Sequence, residues 1–334
     1  MNKRNLGKRG LSVTPIGLGL AALGRPGYIN LGHAGDLEQN YDVASMEKHA
    51  HAVLDAAWKA GIRYYDVARS YGRAEAFLGS WLEKREIDRE AVTIGSKWGY
   101  EYTADWKVTV VDGQKHEAKE HSVSMLGRQL TESRSFLGEY LDLYQIHSAT
   151  KESGVLYNQA VLAELARLRN AGLKIGLTVS GAHQADTIWQ ALEIAYDGRL
   201  LFSSVQATWN LLEQSASSAL QATHEAGLGV IIKEVLANGR LTPRNTNPSF
   251  KRQLALLKSH AEANQTTMDA IALAAVLQQE FVDVVLSGAA RIDHLRSNLQ
   301  ALQVSRLENI EALYAGIKES PSTYWHTRGQ LDWN

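Results

Sequence analysis

Eight times along this 334-residue chain a short run rich in Val, Ile and Tyr alternates with a longer segment of helical period. That alternation constrains the fold more than any other feature, because βα units repeated in this way build a parallel sheet with helices outside it. The pattern predicts strands at 16–20, 62–66, 91–97, 141–147, 174–180, 202–206, 229–233 and 282–287. Each of the first seven precedes a segment readable as amphipathic helix, such as 46–60, 161–171 and 187–195, and the eighth precedes "RIDHLRSNLQAL". Eight such units suit an α/β fold of the (β/α)8 TIM barrel type, usually ~250 residues plus insertions, and so a single domain over 1–334 rather than two. The opening "RNLGKRGLSVT" has two short extended pieces around Gly7 and Gly10 and reads as an N-terminal β-hairpin closing one end of the barrel. Insertions at 25–44 and 98–119 follow the C-terminal ends of strands, the face on which barrel active sites are assembled.

Charge narrows the function classes. The 35 basic and 36 acidic residues are spread along the chain, so no footprint for nucleic acid or an anionic membrane arises. Cysteine is absent, which excludes disulfides and thiolate metal sites. The most apolar stretches, "PIGLGLAALG" and "AIALAAVLQQ", fall short of the ~20 residues of a membrane span. The N-terminus leads into no apolar signal core, so a cytoplasmic protein with a small-molecule partner is expected, as a monomer or a homo-oligomer.

If those strands form, Asp66, Lys97 and His147 close strands or sit just beyond them, with Tyr71 in the loop after Asp66. All four then converge on one face. A tyrosine acts as a general acid only if its pKa, normally ~10, is brought toward neutrality, and a nearby ammonium such as Lys97 would favour the phenolate. Asp66 beside the lysine would hold it charged and oriented, and His147 could hydrogen-bond a substrate oxygen next to the tyrosine hydroxyl. The set makes a proton donor for a carbonyl. Such a donor needs a hydride source, which a protein can bring only as a cofactor.

Around these residues stand "YYDVARSYG", "IGSKWG" and "LGEYLDLYQIHS", and further along come "LKIGLTVSG", "SVQATWNLL", "ANGRLT" and "VLSGAARIDHLRSNL". Nearly end to end, the chain resembles the aldo-keto reductases, (β/α)8 enzymes that use NAD(P)(H). The resemblance implies Tyr71 as general acid, Asp66 and Lys97 as its tuning pair and His147 as the group orienting the carbonyl oxygen. It implies a cofactor, NADP(H) or NAD(H), held by Ser180 and Gln206 at the nicotinamide carboxamide. Lys233, closing the seventh strand, and Leu236 in the loop after it would also bind the cofactor, and Gly288, Ala289, Ala290, Arg291 and Asn298 would hold its adenosine half. An eighth-strand loop feeding a helix is also the usual barrel phosphate site. Trp98, Trp209 and Trp325 would line the substrate pocket, where an aromatic wall suits a sugar ring or a hydrophobic aldehyde.

The sequence departs from the family pattern in places. Gly181 stands where an asparagine usually follows that serine, Lys233 where an aromatic residue commonly stacks on the nicotinamide, and "KEVLANGRL" replaces a Tyr-Ser-Pro-Leu loop start. These changes point toward the sugar dehydrogenase branch. Arg291 could pair with the 2'-phosphate of NADPH, but the lysine and serine that many NADPH-preferring members carry upstream are Gly288 and Ala289 here, which keeps NADH in play.

Other patterns carry less. "GLGLAA" fits a loose dinucleotide fingerprint, but no helix opens after it. His116 and His121 are five apart, not the four of a helical zinc pair, and are read as solvated. His49 and His51 are read as lying on the surface of the first helix. A rival function is a catalytically weak nucleotide sensor or regulatory subunit of the same fold. A two-carboxylate glycosidase lacks a matching pair of strand-end carboxylates.

Overall fold

The β-branched runs become strands within two residues of where the pattern puts them. The computed structural model describes residues 1–111 and 113–334. Two short strands, β1 (Arg4–Leu6) and β2 (Leu11–Val13), form an antiparallel hairpin. Eight parallel strands close the barrel: β3 (Ile16–Gly19), β4 (Tyr64–Asp66), β5 (Thr93–Trp98), β8 (Leu141–Ala149), β9 (Lys174–Val179), β12 (Ser204–Thr208), β13 (Gly229–Lys233) and β14 (Val284–Ser287). Each pairs with the next in this order, and β14 returns to β3. The remaining strands are two outlying hairpins, β6 (Tyr100–Tyr102) with β7 (Glu117–Lys119), and β10 (Ala195–Tyr196) with β11 (Arg199–Leu200).

Helices cover the barrel in sequence: α2 (Val43–Lys59), α3 (Ala74–Lys84), α4 (Val123–Leu137), α5 (Gln159–Asn170), α6 (Gln184–Leu192), α7 (Ser217–Glu225), α8 (Lys251–Ala263), α9 (Met268–Leu277) and α10 (Ile292–Leu299). The short α1 (His33–Asp36) lies in the first insertion, and α11 (Ile310–Ile317) and α12 (Pro321–Gly329) form the C-terminal tail. Several starts are set by side chains that accept the orphan N–H groups of the first turn. Asp42 accepts from Ser45 N, Ser122 from Met125 N, Asn158 from Val161 N and Thr267 from Ala270 N.

Alternation along each strand divides the core in two. One apolar layer lies between strands and helices. The other fills the lower barrel, where Leu6 and Val13 of the hairpin meet Tyr64, Leu143, Ile231 and Val284. The hairpin plugs that end: Lys8 N donates to Gly227 O at 2.8 Å and Arg4 Nε to Asp283 O at 2.6 Å. Gly7 is required there, since its φ is +58° and a Cβ would lie 2.5 Å from Gly229 N. With that end filled, the opposite mouth is left for chemistry. Among the described residues no helix is long and apolar enough to cross a membrane.

Candidate active site

The loop carrying Tyr71 is held on both sides. Beyond Asp66 the chain keeps pairing with β5, as Val67 N donates to Gly95 O at 2.9 Å and Arg69 N to Lys97 O at 3.1 Å. Arg73 N then donates to Gly24 O at 2.7 Å, and Gly24 packs so closely that a Cβ would meet Tyr71 O at 2.2 Å. That approach admits only glycine.

Lys97 and Asp66 form a buried ion pair, their side chains 1% and 3% exposed, and the ammonium also donates to Val67 O at 2.8 Å. The second Asp66 oxygen takes Gln206 Nε2 at 2.8 Å, Tyr64 OH at 3.3 Å and Gln145 Nε2 at 3.4 Å. Lys97 Nζ stands 4.6 Å from the centroid of the Tyr71 ring, over its face. The Tyr71 and His147 rings meet edge to face at 5.5 Å. Strand β8 slips register between Ile146 and Ala149, a bulge of the kind that re-aims a side chain, and Ser148 there has a φ of +50°. His147 Nδ1 faces Ser70 Oγ at 3.3 Å. Neither Tyr71 Oη nor His147 Nε2 has a hydrogen-bond partner among the described residues, and both residues line one cavity of about 810 Å³. The four residues therefore come together, with two polar groups left for an incoming molecule.

The electrostatics differ from the expectation that Lys97 brings the tyrosine toward neutrality. Burial and then Asp66 raise the Tyr71 phenol well above its usual value, and the lowering charge is Arg25. The ammonium is taken up by Asp66 and lies over the ring, not at the hydroxyl. Tyr71 is thus held firmly as a protonated phenol. Burial, then Lys97, Lys233 and Arg25, push His147 far below its usual range, so its imidazole is neutral.

At the other end of the cavity stand Gly288, Ala289, Ala290 and Asn298, where β14 hands over to α10. Asn298 is 1% exposed; its Nδ2 donates to Ser287 Oγ at 2.8 Å, while its Oδ1 is buried with no partner. A helix start with an orphaned acceptor beside it, joined by one cleft to the Tyr71 end, fits a dinucleotide. Ser180, Gln206, Lys233 and Leu236 line the cleft between. Lys233 Nζ donates to Thr208 Oγ1 at 2.8 Å, and burial brings this amine down to about 8. Gln206 spends its amide on Asp66. Arg291 is not on the wall: its Nε donates to Asp293 at 3.0 Å.

A model of the aldo/keto reductase family matches residues 15–313. The chain belongs to this family. As an aldo-keto reductase it is an oxidoreductase by family. It is 26% identical to the uncharacterized oxidoreductase YqkF of Bacillus subtilis, over 96% of this chain and 97% of that one. It is also 26% identical to the L-glyceraldehyde 3-phosphate reductase of Escherichia coli O157:H7, over 90% of this chain and 88% of the relative. In fold it is similar to the holo form of the aldo-keto reductase AKR11C1 from Bacillus halodurans, with a TM-score of 0.71 at 19% identity over 96% and 97% of the two chains.

Two of the three expected pocket tryptophans of this aldo-keto reductase stand elsewhere. Trp98 is fully buried against His121 behind β5, and Trp209 packs on Phe281 and Tyr314. Trp325 does line the cavity, joined by Tyr28, Tyr100 and Trp333. Arg25, which the sequence did not single out, is central: it is buried 5.4 Å from the Tyr71 ring and 4.6 Å from the Trp333 ring, and pairs with Glu117 at 2.5 Å. That pair ties the two insertions together over the site. Across the cleft, burial opposes charge on Glu234, yet Arg328 and Lys233 hold its carboxyl at about 2, and the Arg328–Glu234 pair fastens α12 to the rim.

The histidines also differ from their sequence reading. His51 is buried and bonds Phe77 O at 3.0 Å, and His49 Nε2 lies 2.6 Å from Ala290 O. His116 stacks on Trp333 at 4.0 Å, and His121 Nε2 lies 3.1 Å from His147 O. Neither is a freely solvated group. Burial brings His121, and likewise His33, down to about 4. Between pH 7 and 5 the folded protein keeps both neutral while the unfolded chain, titrating near ~6.5, takes up protons. Stability therefore falls with pH across that window, by about 2 kcal/mol for each residue. Melting temperatures at pH 7, 6 and 5 should decline, and His121→Gln should make the decline shallower; an equal slope in the variant would assign the effect elsewhere.

Proposed function

We propose that this aldo-keto reductase interconverts an aldehyde or ketone with the corresponding alcohol using NAD(P)(H), with residues 1–334 acting as one domain. The observation that carries the reading is the pair of unpartnered groups, Tyr71 Oη and His147 Nε2, on one cavity wall with the Lys97–Asp66 pair buried behind them. The neutral His147 donates a hydrogen bond to the substrate oxygen and fixes it beside the phenol. Tyr71 Oη gives its proton to that oxygen in reduction and takes it back in oxidation. Arg25 and Lys97 offset the charge left on the phenolate, Lys97 kept in place by Asp66. A nicotinamide dinucleotide bound in the cleft would supply the hydride. Ser180, Gln206, Lys233 and Leu236 would hold its reactive half, and Gly288, Ala289, Ala290 and Asn298 its adenosine half. Trp325 and Trp333, with Tyr28 and Tyr100, would form the substrate wall. The E. coli relative is named for an aldehyde, L-glyceraldehyde 3-phosphate, which supports the substrate class.

The test is to titrate the purified protein with NADH and with NADPH, following tryptophan fluorescence, and then to add a broad panel of aldehydes, ketones and aldoses. Saturable quenching by either nucleotide and carbonyl-dependent consumption of it are expected. Binding without turnover across the panel would favour a nucleotide-sensing subunit. No binding of either would remove the oxidoreductase reading.

A further inference from the structure

We infer that a second cavity, at the closed lower end of the barrel, is a binding site for a small phosphate-bearing anion. It has a volume of about 350 Å³ and lies between the β1–β2 turn, the C-terminal end of α5 and the starts of β9 and β12, on the face opposite Tyr71. Arg9 comes from the turn, Arg169 from α5, Lys174 from β9 and Arg199 from β11, so elements far apart in the sequence each send one cation to it. Carboxylates are absent from its wall among the described residues. The acid bonded to wall residues from outside is Asp197, whose side chain is 65% exposed; it takes Asn170 Nδ2 at 3.1 Å and Arg169 Nη2 at 3.5 Å.

Around this cavity the acceptors are spent and the donors are not. Arg169 donates to Tyr196 O, Arg199 O and Leu200 O, each at 3.2 Å, and the end of α5 is closed by Ala171 N on Arg167 O and Gly172 N on Arg169 O, both at 3.0 Å. Arg9, Lys174 and Arg199 have no side-chain hydrogen bond or ion pair among the described residues, and Arg9 Nε is buried with no acceptor. The Ser203 hydroxyl, on a residue 8% exposed, lines the same cavity. A buried donor without a partner costs free energy that an anion's oxygens would recover. Two guanidinium forks, an ammonium and a hydroxyl call for more acceptor oxygens than one carboxylate carries, and a phosphate supplies them. The turn places Arg9 before any ligand arrives, because Lys8 N is held on Gly227 O and Gly7 is packed on Gly229. Leu200 and Phe202 add an apolar side to the wall, which suits the carbon part of a small ester.

The test is isothermal titration calorimetry of the full-length protein at low fixed salt with inorganic pyrophosphate and, separately, with glycerol phosphate, each with and without NADPH. Saturable binding of at least one, undisturbed by NADPH, is expected; pyrophosphate alone would assign the site to a free phosphate, glycerol phosphate to an ester. Arg9→Gln and Lys174→Gln should each weaken it about tenfold, the size of one charged hydrogen bond lost, while Lys174→Arg holds it within a few-fold. Circular dichroism reports whether the variants are folded, and the exposed Arg199→Gln carries the test if Arg9→Gln is not. Tryptophan quenching by dinucleotide should be the same in all of them, so the oxidoreductase reading stands or falls separately. Binding of neither phosphate, affinities equal in wild type and folded variants, or binding that NADPH displaces and the variants do not touch would overturn the inference. Retention of an oligonucleotide without pyrophosphate or glycerol phosphate binding would overturn it too, by making this face a basic surface and not a site.

Discussion

Tyr71→Phe should fold as the wild type does, bind dinucleotide unchanged and lose ~10²- to 10⁴-fold in kcat, the usual worth of a positioned proton donor. The substitution removes one oxygen and keeps the ring. What surrounds that ring is ring-directed: Lys97 lies over its face at 4.6 Å, Arg25 at 5.4 Å and His147 against it at 5.5 Å. The hydroxyl itself has no partner among the described residues, so no protein hydrogen bond is broken. Stability should move little, and a large drop in melting temperature would mean that the hydroxyl has a structural partner. Turnover retained within a few-fold would take Tyr71 out of the chemistry and turn attention to Tyr100, whose ring meets that of His147 at 4.9 Å on the same cavity. The firmly protonated phenol adds a second expectation: the group enters the reaction as a donor, so the rate in the reducing direction should stay flat through neutral pH.

The barrel was legible because its signal is local. A strand buried on both faces reads as a short β-branched run, and eight such runs fell within two residues of the observed strands. The four central residues were legible for the same reason, each lying inside a contiguous motif at a strand end. Pairings across long separations were not. Arg25 and Glu117 belong to different insertions, and nothing in either loop names the other as its partner. The buried histidines were missed because a helix or hairpin becomes inaccessible only when a second element packs on it, as α3 does on His51. Trp98 was a different case, since the clue was present. It follows Lys97 in a strand, and successive side chains point to opposite faces, so an inward Lys97 sends Trp98 into the helical layer. Trp209 lies just past the end of β12, and its burial on Phe281 and Tyr314 depends on segments distant in the chain.

Removing Lys97 should cost more stability than any other change at the site, and the loss separates the pair's structural work from its chemical work. In Lys97→Met the Asp66 carboxylate stays buried with only neutral donors, Gln206, Gln145 and Tyr64. Breaking a buried ion pair by deleting one partner typically costs about 3–5 kcal/mol, because the remaining charge is uncompensated. Asp66→Asn on its own leaves an ammonium in the same position and should be costly too. In the double variant Asp66→Asn/Lys97→Met neither charge remains, and replacing a buried pair by neutral groups is often close to neutral for stability. The cycle should therefore give a favourable coupling of at least about 2 kcal/mol, with the double variant more stable than either single one by denaturant unfolding. Turnover should follow a different course. If the pair acts by placing a cation over the Tyr71 ring, the double variant remains slow although its stability has returned. Additive stability losses would mean that the two charges are screened from each other, against the 1% and 3% exposure of their side chains. Recovery of turnover along with stability would mean that Lys97 and Asp66 serve the fold alone, leaving Arg25 as the charge that attends the phenol.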